Sequence, residues 1–116
     1  MVAANNPSGA HFSGDNHTIK DSTFANNAVY GVAFFIGNNN TLNNSIFWGN
    51  SVDQIFKDGS STATASYCDI QGGYPGTNIN ADPLFLGPPT DLRLGPGSPA
   101  VDAGNDSLVP LSLIHI

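Results

Sequence analysis

The sequence predicts an all-β chain wound as a parallel β-helix of about three coils, closed by an irregular C-terminal segment. Three observations predict it. Segments repeat at a fixed offset of 22–23 residues, and a constant period of this size marks stacked structural units. The apolar runs inside each repeat are short enough to be strands. Fourteen Asn and 13 Gly among 116 residues oppose long helices, because both residue types disfavour helix interiors.

The repeat is direct. Thr18-Ile19-Lys20-Asp21-Ser22-Thr23-Phe24-Ala25-Asn26-Asn27 lies over Thr41-Leu42-Asn43-Asn44-Ser45-Ile46-Phe47-Trp48-Gly49-Asn50 at an offset of 23, and a second step reaches Thr64-Ala65-Ser66-Tyr67-Cys68-Asp69-Ile70. The first residues fit at an offset of 22, with Val2 on Phe24, Asn5 on Asn27 and Gly9-Ala10-His11-Phe12 on Gly31-Val32-Ala33-Phe34. The chain therefore opens within a repeat. If each short strand pairs with its equivalent one coil away, about 4.8 Å along the axis, equal positions stack. The inward columns are then Ile19/Leu42/Ala65, Ser22/Ser45/Cys68, Val2/Phe24/Phe47/Ile70 and Val32/Ile55. A sandwich of antiparallel strands needs no identical residues at a constant long offset.

The turns follow from the same alignment. Asp21 and Asn44 fall in a bend that needs a left-handed residue, which Asn and Asp tolerate better than other non-Gly residues. Asn5, Asn27 and Asn50 form a second column, whose amides can hydrogen-bond along the axis as a ladder. Cys68 shares its column with Ser22 and Ser45, so it reads as a small buried thiol. No neighbouring cation or histidine is placed to activate it. As the lone cysteine it also excludes an internal disulfide.

From Tyr74 the period is lost, and Tyr74-Pro75-Gly76, Gly87-Pro88-Pro89 and Gly95-Pro96-Gly97 punctuate the chain. Asp82-Pro83-Leu84-Phe85-Leu86 and Asp91-Leu92-Arg93-Leu94 read as short strands. Residues 98–104 read as one helical turn, with Ser98 as N-cap, Pro99 at the first helical position and Gly104 as the stop. A stack of coils exposes an apolar end and unpaired strand edges, so an atypical terminal segment is required to cover them. The expected organisation is coils over 1–73, the first incomplete, and a cap over 74–110. Leu111-Ser112-Leu113-Ile114-His115-Ile116 resembles the translated end of a transposon-type sequencing adapter, so 111–116 is expected to carry no function.

Four runs of residues carry a family resemblance. They are Asn43-Asn44-Ser45-Ile46-Phe47-Trp48-Gly49-Asn50, Tyr67-Cys68-Asp69-Ile70-Gln71-Gly72-Gly73-Tyr74-Pro75-Gly76, and Ala81-Asp82-Pro83-Leu84-Phe85 followed by Leu92-Arg93-Leu94-Gly95-Pro96-Gly97-Ser98-Pro99-Ala100-Val101-Asp102-Ala103-Gly104. Their order and spacing resemble the C-terminal region of bacterial right-handed parallel β-helix repeat proteins of the choice-of-anchor Q type, a group related in fold to the pectate lyases. That resemblance implies a right-handed coil and an exported protein, secreted or held at the cell surface, of which this chain is a piece. The strand that usually follows the Asp-Ala-Gly motif, and any anchor, are missing, and the N-terminus lacks the basic and apolar regions of a signal peptide.

Composition limits the function. Three Lys+Arg against nine Asp, with a net charge of -6, exclude a phosphate-neutralising nucleic-acid surface and polybasic attachment to anionic lipid. No run approaches the roughly 18 apolar residues of a bilayer span. Hydrolases and lyases on related folds use clustered carboxylates, but here Asp21 is followed one coil later by Asn44, and neither Asp53 nor Asp69 aligns with another acid. A hydrolase needs two carboxyl groups roughly 5–10 Å apart. Asp53 and Asp58 are candidates for a Ca²⁺ site with backbone oxygens, and no other cofactor is expected. His11 and His17 flank a Gly turn with Asp15 but match no common ligand spacing. Arg93 is placed to pair with Asp91 as an exposed ion pair worth roughly 0–1 kcal/mol. Tyr30, Phe34, Phe35, Trp48 and Tyr67 are candidate sugar platforms, Trp48 foremost because it should point outward between Phe47 and the Gly49-Asn50 bend. The reading is a non-catalytic structural or adhesion segment of an extracellular β-helix protein, with carbohydrate or cell-surface ligands and the rest of its own longer chain as partners. The alternatives are part of a polysaccharide-degrading enzyme whose active coils lie elsewhere, or a carbohydrate-binding lateral face that bears Asn and aromatic residues.

Overall fold

The computed structural model describes residues 2–88 and 91–100. Three parallel sheets run along one axis. Strands β1 (Val2–Ala4), β4 (Thr23–Ala25), β7 (Ile46–Trp48) and β10 (Asp69–Ile70) form sheet A; β2 (Ser8–Ser13), β5 (Tyr30–Phe35) and β8 (Asp53–Lys57) form sheet B; β3 (Thr18–Lys20), β6 (Asn40–Asn43) and β9 (Ala63–Ser66) form sheet C. Each strand pairs with its equivalent one coil on, as the repeat requires. Ile19 meets Leu42, Phe24 meets Phe47, Thr41 meets Thr64 and Phe47 meets Ile70. Among the described residues there is no helix, and the architecture is a β-solenoid of about three turns.

Alternation within each strand sends one set of side chains inward. Ile19, Phe24, Val32, Phe34, Leu42, Phe47, Ala65, Cys68 and Ile70 make the buried core. The Phe24 and Phe47 rings stack nearly parallel at 5.1 Å, and Phe12 stacks on Phe34 at 5.6 Å. Such pairs contribute about 0.5–1.5 kcal/mol beyond the area they bury. Ser22, Ser45 and Cys68 fill one column, and each hands its hydrogen to the carbonyl two residues earlier, of Lys20, Asn43 and Ser66. The corner between sheets C and A is left-handed throughout, at Asp21 (φ 54°), Asn44 (φ 50°) and Tyr67 (φ 56°).

The first coil departs from the alignment. Ala3, not Val2, sits on Phe24, so Ala3 is buried and Val2 is 66% exposed. The cause is one residue less in the following turn: β1 pairs with β4 at an offset of 21, whereas β2 pairs with β5 at 22. Asn5 consequently leaves the Asn27/Asn50 column and joins the left-handed column of Asn26 and Gly49, with φ 60°, 56° and 74°. Its neighbour Asn6 takes its place, and the Asn6 N–H donates to Asn27 Oδ1 at 3.0 Å.

The segment after Gly73 covers the end in two ways. Tyr74 packs against the core and its hydroxyl donates to the Ala63 carbonyl. Ile79 then adds to sheet A in parallel beside Asp69, exchanging backbone bonds with Cys68 and Ile70. Beyond it, β11 (Phe85–Gly87) and β12 (Asp91–Leu94) form an irregular antiparallel pair. The expected strand from Asp82 is shorter than the sequence suggests, because Leu84 is left-handed (φ 55°) in a turn closed by its N–H to Asp82 Oδ1. Ser98 Oγ accepts the Ala100 N–H, as an N-cap would. The remainder of that turn and residues 111–116 lie outside the described residues.

Candidate functional site

The amide column is the most highly built polar feature. Asn27 is completely buried. Its Nδ2 donates to Ala3 O (3.1 Å) and to Asn50 Oδ1 (2.8 Å), while that same oxygen accepts the Asn27 N–H at 3.0 Å. Asn50 repeats the pattern one coil on, with Nδ2 donating to Phe24 O. One further period falls on Gly73, which has no amide, and Gln54 substitutes from four residues away. Its Oε1 accepts both the Asn50 N–H and Asn50 Nδ2, and its Nε2 returns a bond to Asn50 O. Asn40 does related work at the opposite corner, taking the His17 N–H on Oδ1 and donating to the Gly37 and Thr62 carbonyls. Gln54 and Asn40 carry no repeat signal, since neither has an identical residue one coil away. These amides hold backbone, and they are unavailable to a ligand.

The acids are dispersed. Asp53 opens β8 and is exposed, while Asp58 follows its end; five residue steps along the strand separate them by roughly 16 Å. Asp58 accepts the Ile36 and Ser60 N–H groups and the Ser61 hydroxyl, and the Ser61 bond foremost holds its carboxyl below the usual range. Asp15 caps the Asn38 N–H. His17 Nε2 lies 2.8 Å from the Ser13 carbonyl oxygen with its ring on Phe12, whereas His11 stacks on Phe35. Among the described residues no three His, Cys or acidic groups come together to hold a metal ion. Arg93 grips Asp91 through Nε and Nη2 (3.0 and 2.8 Å) and brings that exposed carboxyl down to about 2. Cys68 borders a recess of about 330 Å³ with Tyr67, Gly76, Thr77, Asn78 and Ile79, but burial pushes its thiol up to about 11, so it stays protonated.

Asp69 is the exception. It shares the column of Thr23 and Ile46 on the outer side of sheet A, yet both Ile46 and Asp69 are buried. The chain after Ile79 reaches Asp69, for Ala81 donates its N–H to Asp69 Oδ1 at 3.1 Å. Oδ2 is buried and has no hydrogen-bond partner among the described residues. Burial pushes this carboxyl up to about 6; the Ala81 bond opposes the shift and the charge of Asp82 adds to it. Sequence alignment put Asp69 over Ile46 and Thr23, but nothing in the repeat says that a distant segment covers this column.

Aromatic side chains gather on the outside of sheet B. Tyr30 stacks on Phe56 with centroids 4.5 Å apart, Phe56 contacts Phe35 at 5.7 Å, and Phe35 contacts His11 at 5.4 Å. Between His11 and Phe56 in their column lies Ala33, itself fully buried. The rings thus run across all three coils, half-exposed for Tyr30, Phe35 and Phe56. Phe34 is not part of this surface, because its ring is inside the core. Trp48 ends β7 on another face, half-buried and in register with Ala25. Phe56 and His11 were legible only as residues adjacent to the inward Ile55 and Ala10.

Stacked parallel strands, columns of like residues and a cap that extends one sheet define a β-helix. The chain belongs to the right-handed β-helix family: the model described as "Right handed beta helix region" matches residues 2–83, which span the three coils and the start of the cap. No curated protein and no solved structure gives a significant match.

Proposed function

We propose that this chain is a non-catalytic structural and adhesion segment of an exported bacterial β-helix protein, presenting a lateral surface to carbohydrate. The observation that carries the reading is the ring row His11–Phe35–Phe56–Tyr30 across the three coils of sheet B, because aromatic faces stack on the apolar faces of sugar rings and here they sit on a rigid scaffold. The dispersed acids support a binding surface over a hydrolytic one: among the described residues Asp53 and Asp58 stand at opposite ends of β8, and Asp69, which has Asp82 as a charged neighbour, is buried. The finer kinship is with the choice-of-anchor Q proteins, on Asp82-Pro83-Leu84-Phe85 and Ser98-Pro99-Ala100-Val101-Asp102-Ala103-Gly104, and it carries the expectation of secretion or surface attachment. The test is a glycan array probed with the full chain and with Phe56→Ala. Binding that Phe56→Ala abolishes, with the fold intact by circular dichroism, supports the reading. Absence of binding to every glycan overturns it, and release of unsaturated products from acidic polysaccharide would replace it with the enzyme alternative.

A further inference from the structure

The C-terminal cap is attached to the coils at a point where a carboxyl group is buried. Ile79 pairs with the strand carrying Asp69, Ala81 N–H bonds to Asp69 Oδ1, and among the described residues no donor reaches Oδ2. The strand neighbours on the two sides are the neutral Ile46 and Ile79, and among the described residues the charge acting on Asp69 is that of Asp82 in the cap. A neutral carboxyl fits this setting. An ionised one has, among the described residues, a single hydrogen bond for two oxygens, an Oδ2 shielded from solvent and a second carboxylate nearby, and an unpaired buried charge is strongly unfavourable. Opening the cap rehydrates it. We propose that Asp69 is a pH-responsive latch: protonated, it keeps the segment from Thr77 to Ala81 on sheet A; ionised, it favours release of that segment and exposure of the β10 edge. This stands apart from the carbohydrate reading and involves a different face.

The direction follows from linkage. The closed-state carboxyl titrates near 6 and a solvated Asp near 3.9, so the closed state is favoured most below about pH 4 and loses that advantage as pH rises through 6. Between pH 5 and 7.5 the closed-to-open ratio should fall about tenfold. Hydrogen exchange of the full chain, corrected for intrinsic rates, reads this at the Ile79 and Ala81 amides, with the Ile46 amide, bonded to Ser22 O, as the control inside the coils. The expected result is about tenfold loss of protection at Ile79 and Ala81 with Ile46 unchanged, no pH dependence in Asp69→Asn, and a midpoint moved to lower pH in Asp82→Asn. Protection at Ile79 and Ala81 that does not vary with pH, an equal loss at Ile46, or an undisturbed midpoint in both variants would overturn the latch.

Discussion

Replacing Asn27 by Ala tests whether the amide column holds the coils together. The side chain is fully buried, and its removal takes the donor from Ala3 O and the acceptor from the Asn6 N–H, while Asn50 Oδ1 keeps only the Asn27 N–H. Leaving a buried polar group unpaired costs about 1–3 kcal/mol. Ala3 O bears most of that penalty, because Asn6 is exposed and water can reach its N–H. With the small void left by the amide, the expected loss is about 3 kcal/mol, a large fraction of the roughly 5–15 kcal/mol typical of a whole domain. Urea unfolding followed by circular dichroism and Trp48 fluorescence measures it. Gln54→Ala should cost less, about 1 kcal/mol, because Gln54 is only half-buried, so water can enter its place and take over part of the bonding that buried Asn50 loses. Asn27→Asp keeps the acceptor for Asn6 but loses both donors and buries a charge. Its destabilisation should therefore be greatest at neutral pH and ease as acid protonates the new carboxyl. A loss under about 1 kcal/mol for Asn27→Ala, or Gln54→Ala costing as much, would refute the reasoning.

Two further substitutions address backbone geometry. Ile36 is left-handed (φ 51°) with a β-branched side chain that is 74% exposed and packs little, while Gly14 stands one coil earlier at φ 90°. Ile36→Asn should relieve strain and stabilise by about 1 kcal/mol, raising the thermal midpoint by roughly 4–8 °C in a circular-dichroism melt; an unchanged or lower midpoint counts against it. Gly31 lies against the ladder, and a Cβ there would come within 2.5 Å of Gln54 O and 2.8 Å of Asn50 Nδ2. Gly31→Ala should therefore destabilise by about 2 kcal/mol or more in the same assay, and a neutral effect would show that Asn50 can shift without loss.

What the sequence revealed and what it concealed divide along one physical line. Strand stacking makes equivalent positions neighbours, so Phe24 over Phe47 over Ile70 and Ser22 over Ser45 over Cys68 were legible wherever the period held. A single-residue change in one turn was enough to exchange Val2 for Ala3 and Asn5 for Asn6, because a one-residue slip reverses which side chains face the core. The repeat contains no rule for ending itself. Three ladders that run up the axis leave their last member with a buried group for which the next coil would have supplied a partner. Each is met by a residue foreign to the column. Gln54 stands where Gly73 offers no amide. Asn78 Oδ1 takes the Cys68 N–H, as Ser45 Oγ takes that of Ser22. Ile79 supplies the carbonyl that the Ile70 N–H would find in another coil. Because these substitutes come from unrelated positions, self-alignment cannot find them. The covering of Asp69 belongs with them, and it differs in one respect: among the described residues only the Ala81 N–H reaches it, and on one oxygen alone, so here a proton has something left to decide.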